Sequence, residues 1–247
     1  MRIDVLTLFP GIFTGPLDES IIAKAREREL VDIRVHDLRP YGLGRHRVCD
    51  DAPYGGGAGM VMRPEPLHAA LQEVAGAREQ KNAWIVFLSP QGKVLSHAKA
   101  KELAERPRVV MICGRYEGMD ERIRELWVDE EISIGDYVLT GGELPALVVI
   151  DTVVRLLPGV LGNAESAIND SHANGIFDYP HYTRPEEFEG MRVPEILLSG
   201  HHAQIERWRR KQALKRTLLC RPELLQSAPL TAEDQKIIRE IQQEDAE

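Results

Sequence analysis

Apolar positions alternate or run unbroken over five short stretches in the first two-thirds of the chain. Val31, Ile33 and Val35 alternate with Asp32, Arg34 and His36, the period of a strand with one covered face. Arg2 to Leu8, Ala83 to Leu88 and Arg108 to Cys113 are nearly continuous apolar runs, as expected of strands buried on both faces of a parallel sheet. Ile132 to Ile134 is a short fifth. Between them, Leu17 to Leu30, Glu65 to Ala77, Ser96 to Glu105 and Glu143 to Leu157 carry helical spacing, with Pro145 in a first turn, where proline is tolerated. The alternation predicts an α/β fold with helices over a mostly parallel sheet. Further on, Asn163, Glu165, Ser166, Asn169, Asp170 and Ser171 make a small, polar stretch that reads as a linker. His201 to Leu219 is then helical in pattern, and a last helix over Ala232 to Gln243 ends in an acidic tail. The expected division is residues 1–162 for the sheet domain, 163–174 for a flexible interdomain linker and 175–247 for a small helical C-terminal domain.

Composition leaves this picture intact: hydrophobic residues are 43% and charged residues 28% of 247, ordinary globular usage that argues against disorder. The longest apolar runs, such as Ala146 to Ile150, are too short to cross a bilayer, so no membrane partner is expected. Met1 to Phe9 carries Arg2 and Asp4 inside its apolar stretch and lacks the long apolar region of a secretory signal. Cys49, Cys113 and Cys220 are scattered and odd in number, with neither disulfide nor zinc spacing, which predicts a reducing, cytoplasmic setting. A net charge of −8 argues against a chain built wholly to bind nucleic acid. It leaves room for a local basic face, and Arg207, Arg209, Arg210, Lys211, Lys215, Arg216 and Arg221 form a run with no acidic residue among them.

Candidate chemistry gathers on glycine-containing segments that follow the strands: Leu88-Ser89-Pro90-Gln91-Gly92, Cys113-Gly114-Arg115-Tyr116-Glu117-Gly118, and Ile134 to Glu143. Ligands in open α/β sheets bind where such loops converge beyond the strand ends. A fourth cluster, Asp51 to Met60, sets Tyr54 beside Gly55, Gly56, Gly57 and Gly59 and suits a substrate-contacting loop. Neither a G-x-G-x-x-G turn after the first strand nor a phosphate-binding G-x-x-x-x-G-K-[ST] is present, which argues against a dinucleotide dehydrogenase and a P-loop NTPase.

Together these strings resemble the bacterial tRNA (guanine-N1)-methyltransferase family, the TrmD type within the SPOUT superfamily. The matching segments are Pro53 to Gly57, Leu88 to Gly92, Cys113 to Gly118, Ser133 to Leu139, Gly141 to Ala146 and Pro180-His181-Tyr182-Thr183-Arg184-Pro185, in family order over nearly the whole chain. The resemblance implies a trefoil-knotted sheet domain, an exception to the usual unknotted topology. It places S-adenosylmethionine against Leu88, Ser89, Pro90 and Gly92, then Gly114, Arg115, Tyr116 and Glu117. The remaining contacts are Ile134, Gly135, Asp136, Tyr137, Val138 and Leu139, followed by Gly141, Gly142 and Pro145. It also implies a homodimer with composite active sites and a tRNA substrate methylated on the guanine immediately 3′ of the anticodon. The tRNA contacts expected here are Tyr54, Gly55, Gly56, Gly57, Gly59, Arg209, Arg210 and Lys215.

By composition alone Asp170 reads as a polar linker or capping residue, and Arg155 as a cation at a helix C-terminus. The resemblance instead makes Asp170 the general base and Arg155 its partner. Guanine N1 carries a proton at neutral pH, so a base must remove it while negative charge grows on O6, where a guanidinium stabilises it. The family's magnesium dependence points to Glu117 and Asp170 for the cation. His172 stands where the family usually has Phe, and Ala58 where many relatives have Pro. The alternatives are a SPOUT ribose 2′-O-methyltransferase and a non-catalytic RNA-binding protein.

Overall fold

The computed structural model describes residues 1–162 and 170–244; the predicted linker positions Asn163, Glu165, Ser166 and Asn169, and the end of the acidic tail, lie outside the described residues. By its internal contacts the chain divides into two units, Met1–Gly162 and Asn163–Glu247. The first holds β1 (Arg2–Thr7), α1 (Ser20–Glu27), β2 (Asp32–Asp37), a short antiparallel pair β3 (Asp50–Asp51) and β4 (Val61–Met62), and α2 (Pro64–Ala75). It continues with β5 (Trp84–Val94), α3 (His97–Ala104), β6 (Arg108–Cys113), α4 (Glu121–Trp127), β7 (Glu130–Ser133) and α5 (Glu143–Val154). The five-stranded sheet is parallel throughout, in the order β2-β1-β6-β5-β7.

Strand residues alternate between two cores, which is why the runs read as continuously apolar. Val5, Val86, Val109 and Met111 pack with α1, α3 and α5 on one face. Leu6, Ile85, Val110 and Ile112 pack with α2 and α4 on the other. At about 1.5–3 kcal/mol for each fully buried aliphatic side chain, these two layers supply most of the favourable free energy of the unit. The α5 helix is apolar on several sides, with Ala146, Val149, Ile150, Val153 and Val154 all buried.

Three elements depart from the sequence reading. α1 is shorter than the predicted Leu17 to Leu30 because Glu29 adopts a left-handed φ of 57° and the Leu30 N–H closes back on the Ala25 carbonyl, a C-terminal cap. α4 was not expected, since a helix of 7 residues carries too few turns for a periodic signal. Its readable cues are Asp120, whose carboxylate accepts the Arg122 N–H, and buried Ile123 and Trp127 one turn apart. β5 does not stop at Leu88 but runs to Val94 through an irregularity, so that Leu88 and Lys93 both register with Ile132 of β7.

The second unit departs from the purely helical expectation: a two-stranded hairpin, β8 (Glu187–Phe188) with β9 (Met191–Arg192), precedes its helices. Its turn residues Glu189 and Gly190 have φ of 51° and 79°, the left-handed pair that matches strand twist. Among the described residues its helices are α6 (Glu195–Leu198), α7 (His202–Cys220), α8 (Leu224–Ser227) and α9 (Ala232–Glu244). Ile176, Ala213, Leu214, Ile237 and Ile241 form its small core.

Each unit has a buried carboxylate held by arginine. Asp4 interrupts the apolar run of β1, is fully buried, and meets Arg2 at 2.8 Å, His36 Nε2 at 2.7 Å and Arg108 Nε at 3.0 Å. Burial pushes its pKa up, but hydrogen bonds from His36, Arg2 and Arg108 outweigh that and hold it at about 2. In the second unit Asp234 takes two hydrogen bonds from Arg210, at 2.7 and 2.9 Å, which with Thr231 hold its pKa at about 2 against the opposing effect of burial. Depressed carboxylates contribute stability above their unfolded pKa and lose it as pH falls toward the folded value. We therefore expect the unfolding free energy, followed by urea denaturation, to drop by on the order of 2 kcal/mol per carboxylate between about pH 4 and pH 2. Asp4→Asn should flatten that part of the pH profile that belongs to the first unit.

Candidate active site

A cavity of about 410 Å³ opens at the carboxyl ends of β5, β6 and β7, within the range of small-molecule sites. Three chain segments wall it. Leu88, Ser89, Pro90 and Gln91 come from the irregular turn inside β5; Gly114, Arg115, Tyr116, Glu117 and Gly118 follow β6; Ile134 to Gly142, without Asp136, follow β7, and Pro145 closes the rim. Of the residues predicted to contact a cofactor, only Gly92 and Asp136 are absent from the wall. Gly92 has a packing role: a Cβ there would lie 2.5 Å from the backbone of Glu131 and Ile132, so the turn out of β5 can press on β7 only as glycine. The sequence reading missed Phe87, Met119, Ile132, Ser133 and a charged group, Glu121, Arg124 and Glu131, that enters from α4 and β7. Arg124 pairs with both glutamates, which raises its pKa further.

The loops are held by close backbone approach. The Gly142 N–H donates to the Gly114 carbonyl at 2.8 Å, Arg115 and Gly141 form an antiparallel bridge, and a Cβ on Gly142 would sit 2.7 Å from the Cys113 Cα. Tyr116 takes a φ of 59°, a conformation that a side chain adopts at a cost, on a segment lining the cavity.

Beneath these loops lies a buried charge network. Glu143, the first residue of α5, is 1% exposed and accepts the Thr7 hydroxyl at 2.7 Å. Its other oxygen lies 2.8 Å from Arg115 Nη2, an ion pair outside hydrogen-bond geometry. Arg115 also donates to the Thr140 carbonyl at 3.0 Å and stacks on Phe9 at 4.4 Å, while its Nε is buried with no hydrogen-bond partner among the described residues. Burial, reinforced by Glu143, pushes the neighbouring Cys113 thiol well up and keeps it neutral. The network ties the ends of β1 and β6 to the start of α5. Glu143→Gln keeps the acceptor for Thr7 but removes the charge opposite Arg115. It should cost about 2 kcal/mol of stability by urea denaturation, the scale of a lost charged contact.

The glycine cluster reaches the same place. The Glu117 N–H donates to the Met60 carbonyl at 2.9 Å, and a Cβ on Gly59 would meet the Glu117 carboxylate at 2.3 Å. Tyr54 is fully exposed, and Gly55, Gly56 and Gly57 have open space where a side chain would go.

The predicted catalytic pair lies in different units. Arg155 caps the C-terminus of α5, at the opposite end of that helix from the cavity. Asp170 opens the described part of the second unit, its carbonyl accepting the Ala173 N–H at 3.1 Å. His172, where Phe was expected, still packs as an aromatic, edge-on to Phe177 at 5.4 Å.

The basic run changes character on folding. Arg207 pairs with Glu233 and Glu240, Arg209 with Glu206, Arg210 with buried Asp234, Lys211 with Glu244 and Arg221 with Glu223. Acids near the run (Glu206, Glu223) and distant from it in sequence (Glu233, Asp234, Glu240, Glu244) thus pair with much of a stretch that looked uniformly cationic, and Arg210, one of the predicted tRNA contacts, is held in place by Asp234. Lys215 is half-buried on α7.

Comparison with known proteins agrees with this geometry. The family model described as tRNA (Guanine-1)-methyltransferase TrmD matches residues 1–227. The tRNA (guanine-N(1)-)-methyltransferase of Heliobacterium modesticaldum is 56% identical over 247 residues, covering 99% of this chain and 92% of the relative. That of Pelotomaculum thermopropionicum is 54% identical, covering 98% and 96%, and that of Brevibacillus brevis 54%, covering 99% of each. A match across both units, with the family's glycine segments walling one cavity, shows that the chain belongs to the tRNA (guanine-1)-methyltransferase TrmD family.

Proposed function

We propose that this protein transfers the methyl group of S-adenosylmethionine to N1 of the guanine immediately 3′ of the anticodon in tRNA. It does so as a cytoplasmic homodimer whose two active sites each draw on both chains. The observation that carries the reading is the convergence of the three family segments on one cavity. The cavity fits the cofactor: main chain at Gly114, Gly135, Gly141 and Gly142 lies beside the apolar side chains of Leu88, Met119 and Ile134 in its wall, and the Arg115 Nε is a buried donor lacking a partner among the described residues. When bound, S-adenosylmethionine supplies an electrophilic methyl group on a sulfonium. The chain's own residues do the rest. Asp170 takes the proton from guanine N1, and Arg155 stabilises the charge that grows on O6.

Geometry within the first unit supports a shared site. Gly142 and Pro145, at the start of α5, line the cavity, whereas Arg155 follows the end of that helix. Ten residues of helix span about 15 Å, too far for Arg155 to serve the cavity of its own chain. A two-fold partner would bring its Arg155 to that cavity. Leu144 and Val148, one turn apart on α5, are 53% and 42% exposed and give the helix an apolar face for such a partner. The trefoil knot implied by the family would be formed by this sheet domain. Residues 1–162 then form the cofactor domain, 163–174 the linker that carries Asp170, and 175–247 the tRNA-binding domain. A magnesium ion would rest on Glu117 and Asp170, with water and substrate oxygens completing its shell. Among the described residues no group of three His, Cys, Asp or Glu side chains is placed to hold a metal alone. No helix among them is long and apolar enough to cross a membrane.

Isothermal titration with S-adenosylmethionine tests the cavity assignment. Saturable binding that Gly142→Val abolishes is expected; no binding to the native protein would favour an RNA-binding protein without chemistry.

A further inference from the structure

The segment Pro180 to Pro185 belongs to the family pattern, yet the cofactor cavity and the catalytic pair leave it without a task. In the structure it forms one wall of a separate cavity of about 550 Å³ that lies wholly within the second unit. Val193, Leu197, Leu198 and Ile205 make an apolar floor, and Tyr179, His181, Tyr182, Arg184 and Arg209 supply rings and guanidinium planes around it. Several of these planes are fixed before any ligand arrives. Arg209 lies 5.0 Å over the Tyr179 ring and is tied to Glu206 at 2.7 Å. His181 packs 4.7 Å from the same ring and is held by Asp178 at 2.7 Å. Tyr182 is 50% exposed, with Trp208 behind it at 6.5 Å. The Arg209 Nε is buried with no hydrogen-bond partner among the described residues.

We propose that this cavity is a nucleobase pocket that takes one unpaired nucleotide of the tRNA, other than the guanine that is methylated. The proposal rests on tRNA being the substrate. Flat rings and guanidinium planes over an aliphatic floor are the surfaces on which bases stack. A phosphate would prefer converging N–H groups and cations without the apolar floor, and Glu186, which also lines the cavity and pairs with Arg192 at 3.0 Å, offers it no donor. A carboxylate at that position accepts from exocyclic amino groups, which adenine, guanine and cytosine have and phosphates lack. Bases paired in an A-form helix are stacked and cannot lay a face on these rings, so the occupant must come from a loop, a bulge or an end.

The test uses the full-length protein and an unmodified tRNA transcript. Tyr182 is half-exposed, so Tyr182→Ala removes the ring with little threat to the fold, and thermal melting verifies this. The expected result is about a 5- to 100-fold weaker tRNA dissociation constant, with an unchanged slope of affinity against salt and unchanged S-adenosylmethionine affinity. Tyr182→Phe should stay within about two-fold of wild type. A set of transcripts with single abasic positions should contain one that binds wild type and Tyr182→Ala equally, which identifies the occupant. Unchanged tRNA affinity in Tyr182→Ala would overturn the proposal. So would a loss accompanied by a shallower salt slope, which marks a phosphate contact, or a loss of dimer in sedimentation, which marks a protein occupant. The wild-type methyl-transfer assay reads the substrate assignment independently: methylation without any effect at Tyr182 leaves that assignment standing and removes the pocket alone.

Discussion

Asp170→Asn should leave S-adenosylmethionine affinity within about two-fold of wild type while kcat falls by ~100-fold or more, the usual size of a lost general base. The two side chains have the same shape, and hydrogen bonds from the Ala173 N–H to the Asp170 carbonyl and from the Asp178 N–H to the Ser171 hydroxyl, which the substitution leaves in place, help to hold the local turn. What the amide lacks is a lone pair basic enough to take the N1 proton. The cofactor cavity lies in the first unit and Asp170 in the second, so binding and chemistry should separate cleanly in titration and single-turnover rates. A variant that keeps more than about a tenth of the wild-type rate would take Asp170 out of the role of base.

The second large effect is a gain. Gly142→Val should be inactive, because even a Cβ there would stand 2.7 Å from the Cys113 Cα and 2.9 Å from the Gly114 nitrogen. The φ of Gly142 is an ordinary −80°, so space and not backbone strain excludes a side chain. Asp170→Asn should be inactive for a different reason and in a different part of the chain. If the proposed sharing holds, one site of a mixed dimer would combine the intact cavity of one chain with the intact Asp170 of the other, while the second site would carry both lesions. Random re-association of the two dead proteins should then restore roughly a quarter of wild-type activity, since about half the dimers are mixed and each has one good site. Heterodimers verified by mass and without activity would mean that each chain serves itself, and the shared site would have to be abandoned.

The contrast between what the sequence disclosed and what it concealed has physical roots. Long apolar runs such as Arg108 to Cys113 reported their strand correctly because burial on both faces leaves little choice of residue. The glycine segments pointed to one cavity because main-chain crowding, as at Gly92 and Gly142, restricts the residue type. Contacts between charges far apart in the chain leave no local trace. Nothing near Arg210 in sequence announces Asp234, and the acid-free run from Arg207 to Arg221 therefore suggested a bare cationic face. Asp4 likewise read as a break in an apolar strand, whereas Arg2, His36 and Arg108 from three strands converge on it. Roles for Arg155 and Asp170 came from the family resemblance and not from their local pattern.

The central claim is the chemistry on the base, and nucleoside analysis tests it most directly. An unmodified tRNA transcript with guanine 3′ of the anticodon would be incubated with the protein and S-adenosylmethionine, digested to nucleosides and resolved by mass spectrometry, with the position mapped on oligonucleotide fragments. The account predicts 1-methylguanosine at that single position and its absence when Asp170→Asn is used. A methyl group on a ribose 2′-oxygen, on another base, or on no nucleoside at all would contradict it.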